Sequence, residues 1–286
     1  MAKKIKKIIK NSVNNTNGES VRLLNTRVPG LDKLLGGGIP EGSSFVVFSP
    51  PHSGKKPLLM KIAYSSLLKN RPVIFILTDF GAVNWQNMMK SSGWNIYKNK
   101  EIRRNFYVID CYSQQFGTCP STETVKCMEV PYTLSQISIT ATDFLDTISA
   151  YSKRKPIVII HSLSTLIENF GEDSVFRFMQ FFMGKLRTDG ITFGFSLQSE
   201  VHEDKTAKLL TGLADGIIEL KGRQIRVSGF TGAPADWYDY ILSKEGVAIK
   251  LPKQPKLVKQ SRQPKNVKSR KPIKRLVKRP KLKRKK

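Results

Sequence analysis

The stretch V-P-G-L-D-K-L-L-G-G-G-I-P-E-G-S-S-F-V-V-F-S-P-P-H-S-G-K-K-P, from Val28 to Pro57, decides how this chain folds. A turn-rich opening gives way to the apolar run Phe45 to Phe48, then a short polar loop, then a segment from Pro57 to Lys69 with apolar residues at helical spacing. Strand, loop and helix follow one another, and the pattern recurs downstream. Short apolar runs lie at Val73 to Leu77, Phe106 to Ile109, Ile157 to Ile160, Ile191 to Leu197 and Gly216 to Leu220. Runs without alternation are strands buried on both faces. Helical segments are expected at Trp85 to Ser92, Thr142 to Tyr151 and Ser174 to Arg187. This alternation predicts an α/β fold with a mostly parallel central sheet flanked by helices. Arg223 to Ile249 reads as a small antiparallel element with turns at Gly229, Gly232 and Pro234.

The Pro29-Gly30-Leu31-Asp32 turn, the Leu34 to Ile39 segment, the strand and the loop after it resemble the opening of KaiC-like and RadA-like members of the RecA superfamily of P-loop ATPases. Further matching phrases lie at Asp110 to Ser113, Ser162 to Leu166 and Leu213 to Leu220. The resemblance implies a RecA-like domain over residues 21–250, ATP as its ligand, and assembly with copies of itself or with a related RecA-fold partner.

A P-loop holds phosphate because backbone N–H groups and a helix N-terminus surround it, a lysine reaches the terminal phosphates, and a hydroxyl binds Mg²⁺. The pattern G-x-x-x-x-G-K-[ST] is met here by Ser49, Pro50, Pro51, His52, Ser53, Gly54, Lys55 and Lys56. Ser49 replaces the first glycine, Gly54 and Lys55 remain, and Lys56 takes the hydroxyl position. An ammonium cannot ligate magnesium. The loop is therefore expected either to hold ATP or another phosphate ligand independently of Mg²⁺, or to persist as a helix-capping turn that binds nothing. His161 ends the Ile157 to Ile160 run where the resemblance implies a Walker B aspartate, and neutral imidazole is a poor magnesium ligand. No metal is expected. The resemblance also implies two glutamates after the strand that follows the P-loop helix, one of which activates water. Thr78 and Asp79 stand there, and Asp79 is at most a residual, shorter-armed base. The Lys and Arg that such domains offer to a neighbour's nucleotide read Gly229 and Thr231. With four parts of one reaction centre altered, hydrolysis is not expected.

The net charge of +27 would be extreme for a folded domain, and it belongs to the ends. Residues 253 to 286 hold 17 Lys or Arg and no acid, and residues 1 to 10 hold five lysines and no acid. The remaining 27 basic residues against 22 acidic ones leave a body near +5, which is ordinary. Two disordered tails are expected, at 1–20 (basic, then Asn-rich) and 251–286 (rich in Lys, Arg and Pro). Within the second, Lys253, Lys256, Lys259, Arg262, Lys265, Lys268, Lys271 and Lys274 fall at every third position with prolines between. Polyproline II has three residues per turn, so these charges would line one face and could track a phosphate backbone, DNA ahead of RNA. The other reading is a solubilising polycation whose period is accidental.

Cys111, Cys119 and Cys127 are eight residues apart and lack the close pairs of a zinc or redox motif, which predicts a reducing compartment. No apolar run approaches the ~20 residues of a bilayer span, so a cytoplasmic protein is expected. His202 reads as part of a solvated turn, Trp85 and Trp94 as packing residues, and Trp237, with Tyr238 and Tyr240, as a candidate base-stacking surface. Together these features predict a non-catalytic, KaiC-like RecA-fold protein that binds nucleic acid through its tails and has a regulatory or assembly role. The alternative is a weakly active ATPase of recombination, repair or signalling, working through Lys55 and Asp79.

Overall fold

The computed structural model describes residues 21–230, 233 and 235–251. The expected tails lie outside the described residues apart from Leu251, as do Thr231, Gly232 and Pro234; all eight periodic tail cations fall outside. In chain order the strands are β1 (Leu23–Leu24), β2 (Ile39–Pro40), β3 (Ser44–Ser49), β4 (Val73–Leu77), β5 (Phe106–Asp110), β6 (Val125–Cys127), β7 (Ile157–His161), β8 (Thr192–Gln198), β9 (Gly216–Lys221), β10 (Gln224–Ser228), β11 (Tyr238–Ser243) and β12 (Gly246–Ile249). The helices are α1 (Leu31–Leu34), α2 (Lys55–Leu67), α3 (Ala82–Ser91), α4 (Lys100–Arg104), α5 (Leu134–Tyr151), α6 (Leu163–Phe170), α7 (Glu172–Thr188) and α8 (Asp204–Thr211).

Ten strands form one sheet in the order β12-β11-β10-β9-β3-β8-β7-β4-β5-β6. From β9 to β6 every neighbour pair is parallel, and β9 to β12 pair antiparallel. This is the α/β, RecA-like architecture expected, antiparallel element included. β1 and β2 make a separate antiparallel pair.

Side chains of a strand alternate between faces, so each strand feeds two cores. Phe45, Val47, Val73, Phe75, Leu77, Ile157 and Ile159 pack with α2 and with Trp85 of α3. Val46, Ile74, Ile76, Val158 and Ile160 pack with α5, α6 and α7. At Gly194 of β8 a Cβ would stand 2.3 Å from Cζ of Phe45, so the Phe45 ring lies across the neighbouring strand only because that residue has no side chain.

The helix boundaries show where periodicity is a weak guide. α5 starts eight residues before the expected Thr142, on a capping box between Thr133 and Gln136. Its first turns bury only Ile137 and Ala141, too thin an apolar stripe to stand out among Ser and Thr. α6 and α8, eight residues each, and the edge strand β6 are further elements that the apolar pattern did not separate from loops.

Candidate functional site

The phosphate-type loop joins β3 to α2. Ser49 ends β3 fully buried, and its Oγ donates to the Pro50 carbonyl at 3.3 Å. His52 takes the left-handed region at φ 56°, and Gly54 caps α2 at φ 99°. Ser53 Oγ donates to the Pro50 carbonyl at 2.8 Å, while the Tyr240 hydroxyl of β11 donates to the Ser53 carbonyl. A Cβ on Gly54 would stand 3.2 Å from Leu242 and 3.3 Å from Val247. The β11–β12 hairpin therefore braces the outside of the loop. Pro50, Pro51 and Pro57 carry no N–H, so anion donors are confined to His52, Ser53, Gly54 and the start of α2.

Lys55 is almost wholly buried, and its Nζ donates to Gln198 Oε1 at 3.0 Å. Burial holds its ammonium below the ordinary lysine range; the Asp79 charge opposes that shift and Lys56 adds to it. Gln198 ends β8 opposite Ser49 in the parallel register, and its N–H donates to Ser164 Oγ at 2.9 Å.

Lys56 and His161, which stand where the resemblance implies metal ligands, meet Asp79. His161 Nδ1 lies 3.1 Å from Asp79 Oδ1, and Lys56 Nζ lies 3.9 Å from Asp79 Oδ2. The Lys56 ammonium also sits 3.9 Å from the centre of the Phe80 ring, whose edge meets His161. Burial lowers the His161 pKa and outweighs the pull of Asp79, so the ring is neutral. A carboxylate only accepts, so Nδ1 carries the proton and Nε2 is left as a lone pair, unpaired among the described residues. For Asp79 burial pushes upward, but the hydrogen bond from His161 and the charge of Lys56 win, leaving its pKa below the ordinary value. A carboxylate so held is a weaker base, with both oxygens engaged. Thr78 exchanges hydrogen bonds with the backbone of Ser162, at 2.8 Å and 2.6 Å.

Mg²⁺ asks for oxygen donors and near-octahedral geometry. An ammonium and an imidazole at the two ligand positions do not fit that ion. The charge that remains at the start of α2 is positive, from Lys55 and Lys56.

Several contributors could not be read from motifs. Asp110, fully buried at the end of β5, accepts from the N–H groups of Ala82, Tyr112 and Ser113 at 2.6, 2.9 and 2.8 Å, and from Ser113 Oγ at 2.7 Å. It thereby fixes the start of α3, directly after Asp79 and Phe80. Its phrase, Asp110 to Ser113, belongs to the resemblance, which gives Asp110 no role. Gln198 carries no local pattern, and Tyr240, expected beside Trp237 on a stacking surface, is instead buried with its hydroxyl on the loop.

Other expectations need adjusting. Cys119 and Cys127 form a disulfide with Cα atoms 6.1 Å apart, because the chain doubles back into β6; a reducing compartment does not follow from their spacing. Cys111 is a buried free thiol. His202 is half-buried rather than solvated. Trp85 and Trp94 are core residues, and one face of Trp237 is taken by the Arg226 guanidinium at 4.6 Å. Gly229 has φ 86°, and a Cβ there would stand 2.6 Å from the Asp215 carbonyl oxygen, so the backbone itself excludes a long cationic side chain. No helix among the described residues is long and apolar enough to cross a membrane.

Comparison with known proteins agrees with this architecture. The model of a family described as "ATPase: KaiC" matches residues 24–231. A UPF0273 protein of Sulfurisphaera tokodaii is 30% identical over 142 residues, 49% of this chain and 48% of that protein. A UPF0273 protein of Saccharolobus solfataricus is 27% identical over 168 residues, 54% of this chain and 60% of that protein. The chain spans about half the length of the curated relatives it matches. The crystal structure of a KaiC-like protein from Pyrococcus horikoshii OT3 matches with a TM-score of 0.64 at 17% identity, covering 81% of this chain and 100% of that one, a likeness of fold.

Proposed function

The chain belongs to the KaiC ATPase family, and from that premise we propose that it is a non-catalytic member: a cytoplasmic pseudo-ATPase that holds phosphate without Mg²⁺ and binds nucleic acid through its basic termini. The observation that carries this reading is the Lys56–Asp79–His161 cluster. Phosphoryl transfer depends on placing a metal, a water and compensating charge around one phosphate. Here the carboxylate that would position water is held by an imidazole at 3.1 Å and faces an ammonium at 3.9 Å. Lys56 brings one fixed positive charge to the place of a divalent ion, which supports anion binding and not metal-assisted transfer. The termini supply the second activity. Their 22 Lys and Arg form a sequence-independent electrostatic footprint for DNA, ahead of RNA, and the body serves assembly or regulation with copies of itself or a related RecA-fold partner.

Binding of labelled ATP to the full chain, with and without Mg²⁺, tests the site. The expected result is an affinity indifferent to magnesium. The double variant Lys56→Thr/His161→Asp restores oxygen ligands and is expected to gain at least about tenfold in affinity on adding Mg²⁺, ~1.4 kcal/mol. Magnesium-dependent binding by the unaltered chain, with turnover abolished by Lys55→Ala, would establish the weak ATPase instead. Titration of labelled DNA over a salt series tests the termini, where a flat response overturns the reading.

A further inference from the structure

We infer that the N-terminal rim of the central sheet, opposite the phosphate loop, is a second binding surface, shaped for the phosphodiester backbone of a nucleic acid. The inference rests on the reading of this protein as a nucleic-acid binder and names where the folded body takes part.

The rim is built from segments that immediately precede neighbouring parallel strands. Arg71 stands two residues before β4, Lys155 two before β7, and Arg104 two before β5. A cleft of about 570 Å³ there is lined by Arg22, Lys69, Arg71, Lys153, Arg154 and Lys155, with Glu41 as its carboxylate. It shares Lys153 and Arg154 with a second cleft of about 320 Å³, which shares Arg104 with a third of about 490 Å³ that adds Lys100 and Arg103. The three form one path beneath β7, β4, β5 and β6, about 14 Å across three strand spacings.

Charge separates this path from the rest of the surface. Residues 21–251 hold 27 Lys or Arg and 21 Asp or Glu, a net of +6. The linings of the three clefts hold nine Lys or Arg and three Glu, also +6. The remainder of the described body is neutral, so the whole excess lies along one rim.

Internal structure uses only part of that charge. Arg71 is buried, bound to Glu41 and donating to the Lys155 carbonyl at 2.8 Å, and Arg154 donates to the Lys69 carbonyl at 2.7 Å. Arg22, Lys69, Lys153 and Lys155 are exposed and have no ion pair or side-chain hydrogen bond among the described residues. Burial is the main cause lowering the Arg71 pKa, yet the charges of Arg154 and Arg22 also act on it, so these cations are close enough to share one field. Four free cations beside two anchored ones, in a continuous concave path, match the repeated charge of a phosphate backbone. A lipid headgroup surface is planar and would leave the cleft's interior cations unmet.

The test uses the full chain with Lys69→Glu/Lys153→Glu/Lys155→Glu, and a control with the same charge change elsewhere, Lys205→Glu/Lys221→Glu/Lys244→Glu. All are exposed, so folding is not at stake. Fluorescence anisotropy with labelled duplex and single-stranded DNA over a salt series is expected to show the rim variant weaker by on the order of tenfold at physiological salt, with a salt slope shallower by about 2, and the control much less affected. Equal losses in both variants, or no loss in the rim variant, overturn the rim and leave the termini as the binding element. No binding by the unaltered chain overturns the nucleic-acid reading and the rim with it. A rim variant that loses binding to phosphatidylserine vesicles but keeps DNA affinity overturns the rim as a nucleic-acid surface in favour of a membrane.

Discussion

The two ends of the central sheet both gather charged side chains and treat them in opposite ways. At the C-terminal end, where the phosphate loop leaves β3, the charges are buried or half-buried and engaged: Lys55 with Gln198, Lys56 and His161 with Asp79, Asp110 with three backbone N–H groups. At the N-terminal end most cations stand exposed, and in the first cleft Arg22, Lys69, Lys153 and Lys155 have no ion pair among the described residues. On the reading proposed above, a family motif survives here as architecture after its chemistry has changed. The capacity for a new ligand is then better sought where charge is left unsatisfied. If that is right, substitutions at the first end cost stability and substitutions at the second cost binding.

The largest effect is expected at Asp110. Asp110→Ala removes four hydrogen bonds and strands the N–H groups of Ala82, Tyr112 and Ser113 in the interior. At about 1 kcal/mol or more for each stranded group, the loss is roughly 3 kcal/mol. For a body of this size that is a fall in Tm of about 6–12 °C, read by circular dichroism. Because α3 begins at Ala82, the Asp79 turn loosens with it. A fall of less than about 2 °C would mean that Asp110 is not the clamp of this end.

A smaller effect concerns pH. His161 and Asp79 both have pKa values lowered in the folded state. The unfolded chain therefore binds more protons than the folded one at acid pH, and stability is lost as pH falls. His161 acts first, below the ordinary imidazole value of 6.5, and Asp79 follows below its ordinary 3.8. Thermal melts between pH 8 and 5 should show Tm declining as pH drops through 6.5, and His161→Gln should flatten that decline. An unchanged slope in the variant would show that the imidazole is not the group responsible.

The same contrast explains what the sequence discloses. β4 occupies Val73–Leu77, as the unbroken apolar run predicts, because a strand covered on both faces has no polar position to blur its ends. Lys55, Lys56, Asp79 and His161 are legible because each sits at a fixed spacing from a strand or a glycine. The loop roles of Gln198 and Tyr240 are not, since they reach the loop from 143 and 187 residues away in sequence, the first through β8, which only the topology brings beside β3, the second from β11, three strands away from it. The rim is hidden for a related reason. Arg22, Lys69, Arg71 and Lys153 to Lys155 each look like ordinary surface charge, and a body near +5 looks unremarkable until the fold collects the excess on one edge.

The smallest stability effect is expected at that edge, and its smallness matters. Lys69 follows the end of α2 by two residues and Lys153 follows the end of α5 by two, where the negative end of a helix dipole favours a cation by about 0.3–1 kcal/mol. Against this, neighbouring unpaired cations repel one another, a cost that salt screens over about 8 Å at physiological strength. The two terms are similar in size and opposite in sign, so Lys69→Ala, Lys153→Ala and Lys155→Ala, made singly, should each shift stability by no more than about 0.5 kcal/mol, or about 2 °C in Tm. Melting at low salt should move the balance toward the variants, because removing one cation relieves more repulsion when screening is weak. If any of the three instead lowers Tm by well over 2 °C, that lysine is a helix cap, its charge is already spent on the fold, and the two ends of the sheet differ less than their geometry indicates.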